Sequence, residues 1–188
     1  MITIVFCHPQ TESFNHKILE TIIKTLSNEG KEYEVINLYG ENFNPVLDSN
    51  RSPLQSGNTF ATDPKARNYA KILCKTRKII FIFPIWWGEM PAMLKGFIDK
   101  TFIKGIVYDT TPEGSILPCL TVDNTMIITT SEEDSAVFAN YIMGYLATMT
   151  LTAVGMNSIQ WFNLDHISEK NDTDRARFLD KITREVAK

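Results

Sequence analysis

Residues 78–102, Lys78-IIFIFPIWWGEMPAMLKGFIDKT-Phe102, carry the reading of the fold. Ile79 to Phe83 is an unbroken apolar run of β-branched and aromatic side chains. That pattern suits a strand buried on both faces, as the central strand of a parallel sheet is. Pro84 has no N–H to give the ladder and ends the strand. Trp86, Trp87 and Gly88 then fall on a loop at its carboxyl end, where open α/β sheets bind their ligands. Pro91 is expected at the first position of a helix, with Met93, Leu94, Phe97, Ile98 and Phe102 following at helical spacing.

Working outward, Ile2–Phe6 reads as a short buried strand before Cys7-His8-Pro9. A helix with Ile18, Leu19, Ile22, Ile23 and Leu26 on one face closes at Gly30. Tyr33–Leu38 is a second strand, and residues 39–62, with Pro45, Pro53 and Gly57, form a long loop of the kind that is usually functional or mobile. Asp63 caps a helix that has Pro64 at its first position. After the opening stretch, residues 104–122 read as another long loop, broken by Pro112, Gly114 and Pro118. Thr125–Thr129 is the fourth strand, 135–150 a helix, Ser158–Phe162 the fifth strand and Asp172 the start of a last helix. Strand and helix alternate throughout, which predicts one doubly wound, three-layer α/β domain over residues 1–188, with five parallel strands in the order 2-1-3-4-5.

Bulk composition narrows the function. With 188 residues, 44% hydrophobic and 22% charged, the chain has the make-up of an ordinary globular domain. A formal net charge of -3 and scattered basic residues argue against nucleic acid as a partner. Cys7, Cys74 and Cys119 are odd in number and lack CxxC spacing, so no disulfide framework is expected and the setting reads as a reducing cytoplasm. No signal-peptide pattern opens the chain, and no apolar run is expected to approach the roughly 20 residues of a membrane helix, so membrane insertion is not expected.

Three loops leave the carboxyl ends of the neighbouring first, third and fourth strands. His8–Asn15 ends at a helix start, where free N–H groups and the dipole favour an anion; Ser13, Asn15 and His8 can add donors, although Ser13 or Asn15 could equally be plain helix caps. The loop has neither GxGxxG nor a Walker pattern. Pro84–Gly88 could form a shelf for a flat aromatic cofactor, its tryptophans being otherwise core or interface residues. Thr129–Glu132 supplies hydroxyls and backbone at the same crevice. A phosphate anchor, an aromatic shelf and a polar edge together describe the head of a flavin mononucleotide.

These residues resemble a known family. His8-Pro9 with Ser13-Phe14-Asn15, the run Asn42-Phe43-Asn44-Pro45-Val46-Leu47, Pro84-Ile85-Trp86-Trp87-Gly88 with Pro91-Ala92-Met93-Leu94-Lys95-Gly96-Phe97, and Thr129-Thr130 are similar to the flavodoxin-like NAD(P)H:quinone reductases. That family takes in the DT-diaphorase type, the bacterial modulators of drug activity and the ancillary reductases of potassium efflux systems. The resemblance implies a homodimeric flavoenzyme with the flavin near the subunit boundary. It implies that His8, Ser13, Phe14 and Asn15 hold the flavin phosphates, that Pro84, Ile85, Trp86 and Trp87 flank the ring, and that Thr129, Thr130 and Ser131 line its other edge. Tyr108 resembles an aromatic that closes the acceptor pocket and is a candidate catalytic residue, the chemistry being mainly the flavin's.

The chain departs from the family where Ser131 and Glu132 replace a common Gly-Gly pair, so Glu132 is expected to point away from the flavin. The proposed proton relay of the animal enzymes has no match here beyond Ser135, Val137 and Phe138, and Glu12 stands where a hydroxyl residue is common. The animal C-terminal extension is missing, which favours FMN over FAD as cofactor. The resemblance implies ping-pong transfer from NAD(P)H to a quinone, nitro or azo compound. Other classes compatible with these residues are a flavin-binding electron carrier, a regulatory subunit of a potassium efflux system, and a flavin-free interaction domain.

Overall fold

The computed structural model describes residues 1–47 and 63–188. Most of the long loop expected at 39–62, including Pro53 and Gly57, therefore lies outside the described residues. The chain runs β1 (Ile2–Phe6), α1 (Phe14–Asn28), β2 (Tyr33–Asn37), α2 (Pro64–Leu73), β3 (Lys78–Pro84), α3 (Ala92–Thr101), β4 (Tyr108–Thr110), β5 (Ile116–Pro118) and β6 (Asn124–Thr130). A helical run Ser135–Val154, then β7 (Ile159–Leu164) and α5 (Asp172–Ala187), complete it. β2-β1-β3-β6-β7 form one parallel sheet, the expected 2-1-3-4-5 order once the hairpin β4–β5 is counted separately.

β3 is apolar throughout because both of its faces are covered. Ile79, Phe81 and Phe83 enter one core with α2, α3 and the helical run, while Ile80 and Ile82 enter the other with α1 and α5. Each fully buried Ile or Phe on this strand contributes about 1.5–3 kcal/mol. All five sheet strands point their carboxyl ends the same way, which brings the loops after β1, β3 and β6 together.

Several local expectations are corrected. Residues 104–122 are not simply a loop: Tyr108–Thr110 pairs antiparallel with Ile116–Pro118. Pro91 is the N-cap of α3 and not its first helical residue. β7 extends two residues beyond Phe162. The helix after β6 opens as α4 (Ser135–Ala139), becomes π-helical over Asn140–Leu151 and ends in the 3₁₀ turn Thr152–Val154, stopped by Gly155 in the left-handed region. Thr148 Oγ1 donates to Met143 O, five residues back, as the wider turn allows. The run is 20 residues long and an 18-residue stretch of it has a mean hydropathy of 1.3, so by length and composition a membrane-length apolar helix does exist. It went unseen because Asn140, Gly144 and three threonines interrupt it, while its average stays apolar. Phe138, Ile142, Leu146, Leu151 and Val154 bury into the first core, so it is a sheet-covering helix.

The described part of the loop after β2 is clamped to α3. Lys100 Nζ, nearly buried, donates to Asn44 O and to Asp63 Oδ2, both at 2.7 Å, and lies 5.0 Å from the Phe43 ring centroid. Gly96 lets the loop come so close: a Cβ there would stand 2.6 Å from Pro45 Cα. Gly96→Ala should destabilise the fold by about 1–3 kcal/mol despite the better helix propensity of alanine, because the obstruction is backbone. Denaturant unfolding checks this, and a stabilised variant would mean that the loop does not pack on α3.

Candidate functional site

The loop after β1 reaches the site through α1. Ser13 is the α1 N-cap: its Oγ accepts from His16 N at 3.2 Å and donates to Gln10 O at 2.8 Å. The hydroxyl is thus taken up by capping, and what α1 offers outward is its first-turn N–H groups and its dipole. His8 Nδ1 lies 3.1 Å from Gln10 N and 3.3 Å from Gln10 O, so the Gln10 backbone takes up that edge of the ring and Nε2 is the nitrogen left for a ligand. Burial holds the His8 pKa below its ordinary value; the Gln10 carbonyl opposes this and His16 adds to it. Asn15, only 3% exposed, donates from Nδ2 to Thr130 Oγ1 at 2.8 Å, which ties α1 to the tip of β6. Its Oδ1 is buried and has no hydrogen-bond partner among the described residues.

Trp86 and Trp87 sit on a tight reversal. Trp86 N donates to Glu89 O at 2.9 Å and Glu89 N returns to Trp86 O at 3.1 Å. Trp87 and Gly88 between them have φ of 52° and 84°, the signature of a type I′ turn. Glycine suits that geometry; tryptophan is strained in it and is also fully exposed. The Trp86 ring meets the His8 ring edge-on at 5.8 Å. Tyr141, from the π-helical stretch, accepts from Met90 N at 3.1 Å and so fastens this turn to the helix.

The third side is the tip of β6, braced by β7. Trp161 Nε1 donates to Thr129 Oγ1 at 2.8 Å, and Thr129 Oγ1 donates to Asn163 Oδ1 at 2.8 Å. Asn163 Nδ2 donates to Ser131 Oγ at 2.8 Å and to Ser135 Oγ at 3.0 Å, and Ser135 Oγ donates to Asp165 Oδ2 at 2.8 Å. Burial raises the Asp165 pKa, but the Ser135 and Lys170 bonds outweigh it and hold the carboxyl below its ordinary value. Ile167 N donates to Ser131 O at 3.0 Å, which brings the loop after β7 into the same structure.

One cavity of about 210 Å³ gathers His8, Ser13, Phe14 and Asn15 with Pro84, Ile85, Trp86, Thr130 and Ser131, and adds Glu132 and Ile167. Three residues singled out in the sequence fall elsewhere. Thr129 is fully buried and turned to β7, because side chains alternate along a strand and Thr130 takes the cavity side. Trp87 projects into solvent, and Tyr108 lies on the hairpin, half-buried against the first core. Ile167, Asn163 and Asp165 escaped sequence reasoning: Asn163 in an alternating strand and a polar turn after it give no signal of their own. A second cavity of about 230 Å³, lined by Glu12, Phe14, Lys17, Asp172, Arg175 and Leu179 among others, shares Phe14 with the first. Arg175 lies 5.7 Å from the Phe14 ring centroid, donates to Ile167 O at 3.2 Å and keeps a buried Nε that has no hydrogen-bond partner among the described residues.

The chain resembles solved structures over nearly its whole length. Smu.1420 from Streptococcus mutans superposes with a TM-score of 0.85 at 30% identity, covering 99% of this chain and 98% of that one. The NAD(P)H:quinone oxidoreductase from Methanothermobacter marburgensis does so with 0.79 at 22% identity, covering 99% and 96%. Among curated relatives, the uncharacterised NAD(P)H oxidoreductase YcaK of Escherichia coli is 29% identical over 107 residues, 57% of this chain and 55% of that protein. The rat NAD(P)H dehydrogenase [quinone] 1 is 28% identical over 123 residues, 56% and 44% of the two chains. The chain thus spans about half the length of the curated relatives it matches. The family described as the flavodoxin-like fold matches residues 1–186, and with the sheet order and the strand-tip cavity in agreement, the chain belongs to that family.

Proposed function

We propose that this chain is a flavin-dependent NAD(P)H oxidoreductase that reduces quinones or related flat aromatic acceptors such as nitro and azo compounds. The observation that carries this reading is the convergence of a helix N-terminus, the Trp86 face and the Thr130–Ser131 edge on one cavity. The donor set fits a flavin: the orphaned Asn15 Oδ1 calls for a hydroxyl donor such as a ribityl group, and the start of α1 calls for a phosphate. The flavin supplies the hydride chemistry when bound. The residues of the chain bind it, orient it and exclude water: His8 Nε2 and α1 toward phosphate, Ile85 and Trp86 against the ring, and Thr130 and Ser131 along the polar edge. The first cavity offers FMN its phosphate anchor, ring face and polar edge; the neighbouring cavity, with Lys17 and Arg175, gives the adenylate half of FAD a place as well.

The chain acts as one unit and pairs with a second copy. At about 210 Å³ the cavity is smaller than the roughly 300–1,000 Å³ that encloses a ligand of this size. Exposed Trp87, Val137, Tyr145 and Met149 offer an apolar face for the copy that completes it. Tyr108 does not line the cavity of its own chain, so its role as a closing aromatic belongs to the copy opposite. Three free cysteines fit work in a reducing cytoplasm. The test is steady oxidation of NADH or NADPH by the flavin-loaded protein with a free quinone as acceptor. Sustained turnover is expected; bound flavin without turnover would overturn the reductase reading in favour of an electron carrier.

A further inference from the structure

Glu132, expected from the sequence to point away from the flavin, instead contributes to the cavity lining, and its charge there has no evident use. Its Oε2 accepts from Ser168 Oγ at 2.7 Å and Ser168 N at 3.3 Å. The exposed carboxylate is thus tied to the loop after β7 by two hydrogen bonds. Among the described residues Glu132 makes no ion pair, and the basic side chains that follow β7 are engaged elsewhere. Lys170 lies 3.4 Å from Asp165 and His166 3.9 Å from Asp134, while Arg175 bonds the Ile167 carbonyl. Glu133 and Asp134 follow directly in the chain and add negative charge. The Ser131 hydroxyl, next to Glu132, donates to Glu133 O at 2.8 Å and so holds the peptide rigid where the carboxylate branches off.

We infer that Glu132, held by Ser168 on the lining of the flavin cavity, is a positioning residue that keeps the bound cofactor strongly reducing. This rests on the flavin reading above. Two-electron reduction at neutral pH leaves the ring system with one more negative charge than before. A fixed, unpaired carboxylate on the cavity lining disfavours that charge and leaves the oxidised form untouched. By linkage, weaker binding of the reduced form relative to the oxidised form is a lower midpoint potential. A donor poised low hands its electrons to a wider range of aromatic acceptors.

The test is the midpoint potential of the flavin-loaded protein, measured by dye-equilibrated reduction. Glu132→Gln keeps an oxygen for Ser168 but removes the charge. It should strengthen binding of the reduced form relative to the oxidised form about tenfold, read as a rise of about 30 mV for a two-electron couple, while affinity for the oxidised flavin stays within about threefold. The difference should shrink as salt is raised, since the site is open to solvent. Ser168→Ala, which frees the carboxylate to swing outward, should move the potential part of the way in the same direction and serves if Glu132→Gln folds poorly. A midpoint unmoved in both variants, with flavin bound, overturns the role of Glu132 alone. A wild-type protein that takes up neither FMN nor FAD overturns the flavin reading itself.

Discussion

Asn15→Leu is expected to weaken flavin binding about a hundredfold or more while the chain still unfolds cooperatively. Asn15 is 3% exposed, joins α1 to β6 through Thr130 Oγ1, and leaves Oδ1 without a partner beside the cavity. A buried acceptor without a donor costs about 1–3 kcal/mol, so the free protein holds a penalty that a ligand hydroxyl relieves. Leucine removes that gain, strands the Thr130 hydroxyl and loosens the helix whose N-terminus faces the phosphate. Two such losses amount to about 2.8 kcal/mol, a hundredfold in affinity. Titration of flavin fluorescence against wild-type and variant protein measures the ratio. Equal affinities would mean that the Asn15 amide does not meet the ligand.

The second large effect is on assembly. Tyr145 and Met149 are 60% and 69% exposed on a helix whose opposite side fills the first core. Through the Tyr141–Met90 bond that helix is joined to the turn that displays Trp87. A strained, fully exposed tryptophan next to an exposed apolar helix is a costly surface unless something covers it. A stable pair buries about 800 Å² per partner, with aromatic side chains such as these at its centre. On the proposed pairing, in which a second copy completes the cavity, the double variant Tyr145→Glu, Met149→Glu should convert a dimer into a monomer in sedimentation equilibrium and lose most quinone-dependent turnover. A wild-type protein that sediments as a monomer at micromolar concentration contradicts this.

The elements that were legible in the sequence were those in which one physical signal dominated. β3 could be read because a strand covered on both faces has no polar alternation to confuse with a helix, and Ile79 to Phe83 are all buried. Asp63-Pro64 marked the start of α2 by capping chemistry alone, and Asp63 does accept from Lys65 N at 2.9 Å. The hairpin was not legible: strands of three residues, with Pro112 and Gly114 between them and Pro118 closing the second, are too short to show a period. The π-helical register of Asn140–Leu151 was also invisible, since nothing in residue type separates it from an α-helix. At the site, Thr129 and Thr130 looked equivalent as neighbours in sequence, yet strand alternation sends one to β7 and the other to the cavity. The brace through Asn163, Ser135 and Asp165 depends on β7 lying beside β6, a tertiary fact that no local pattern announces.

At the centre of this account is a claim about place: the loops after β1, β3 and β6 make one seat for a flavin. The visible absorbance spectrum of the purified protein, taken after incubation with FMN or FAD and removal of unbound cofactor, tests it most directly. The account predicts a structured flavin band that stays with the protein at one cofactor per chain. A colourless protein after both incubations would contradict it.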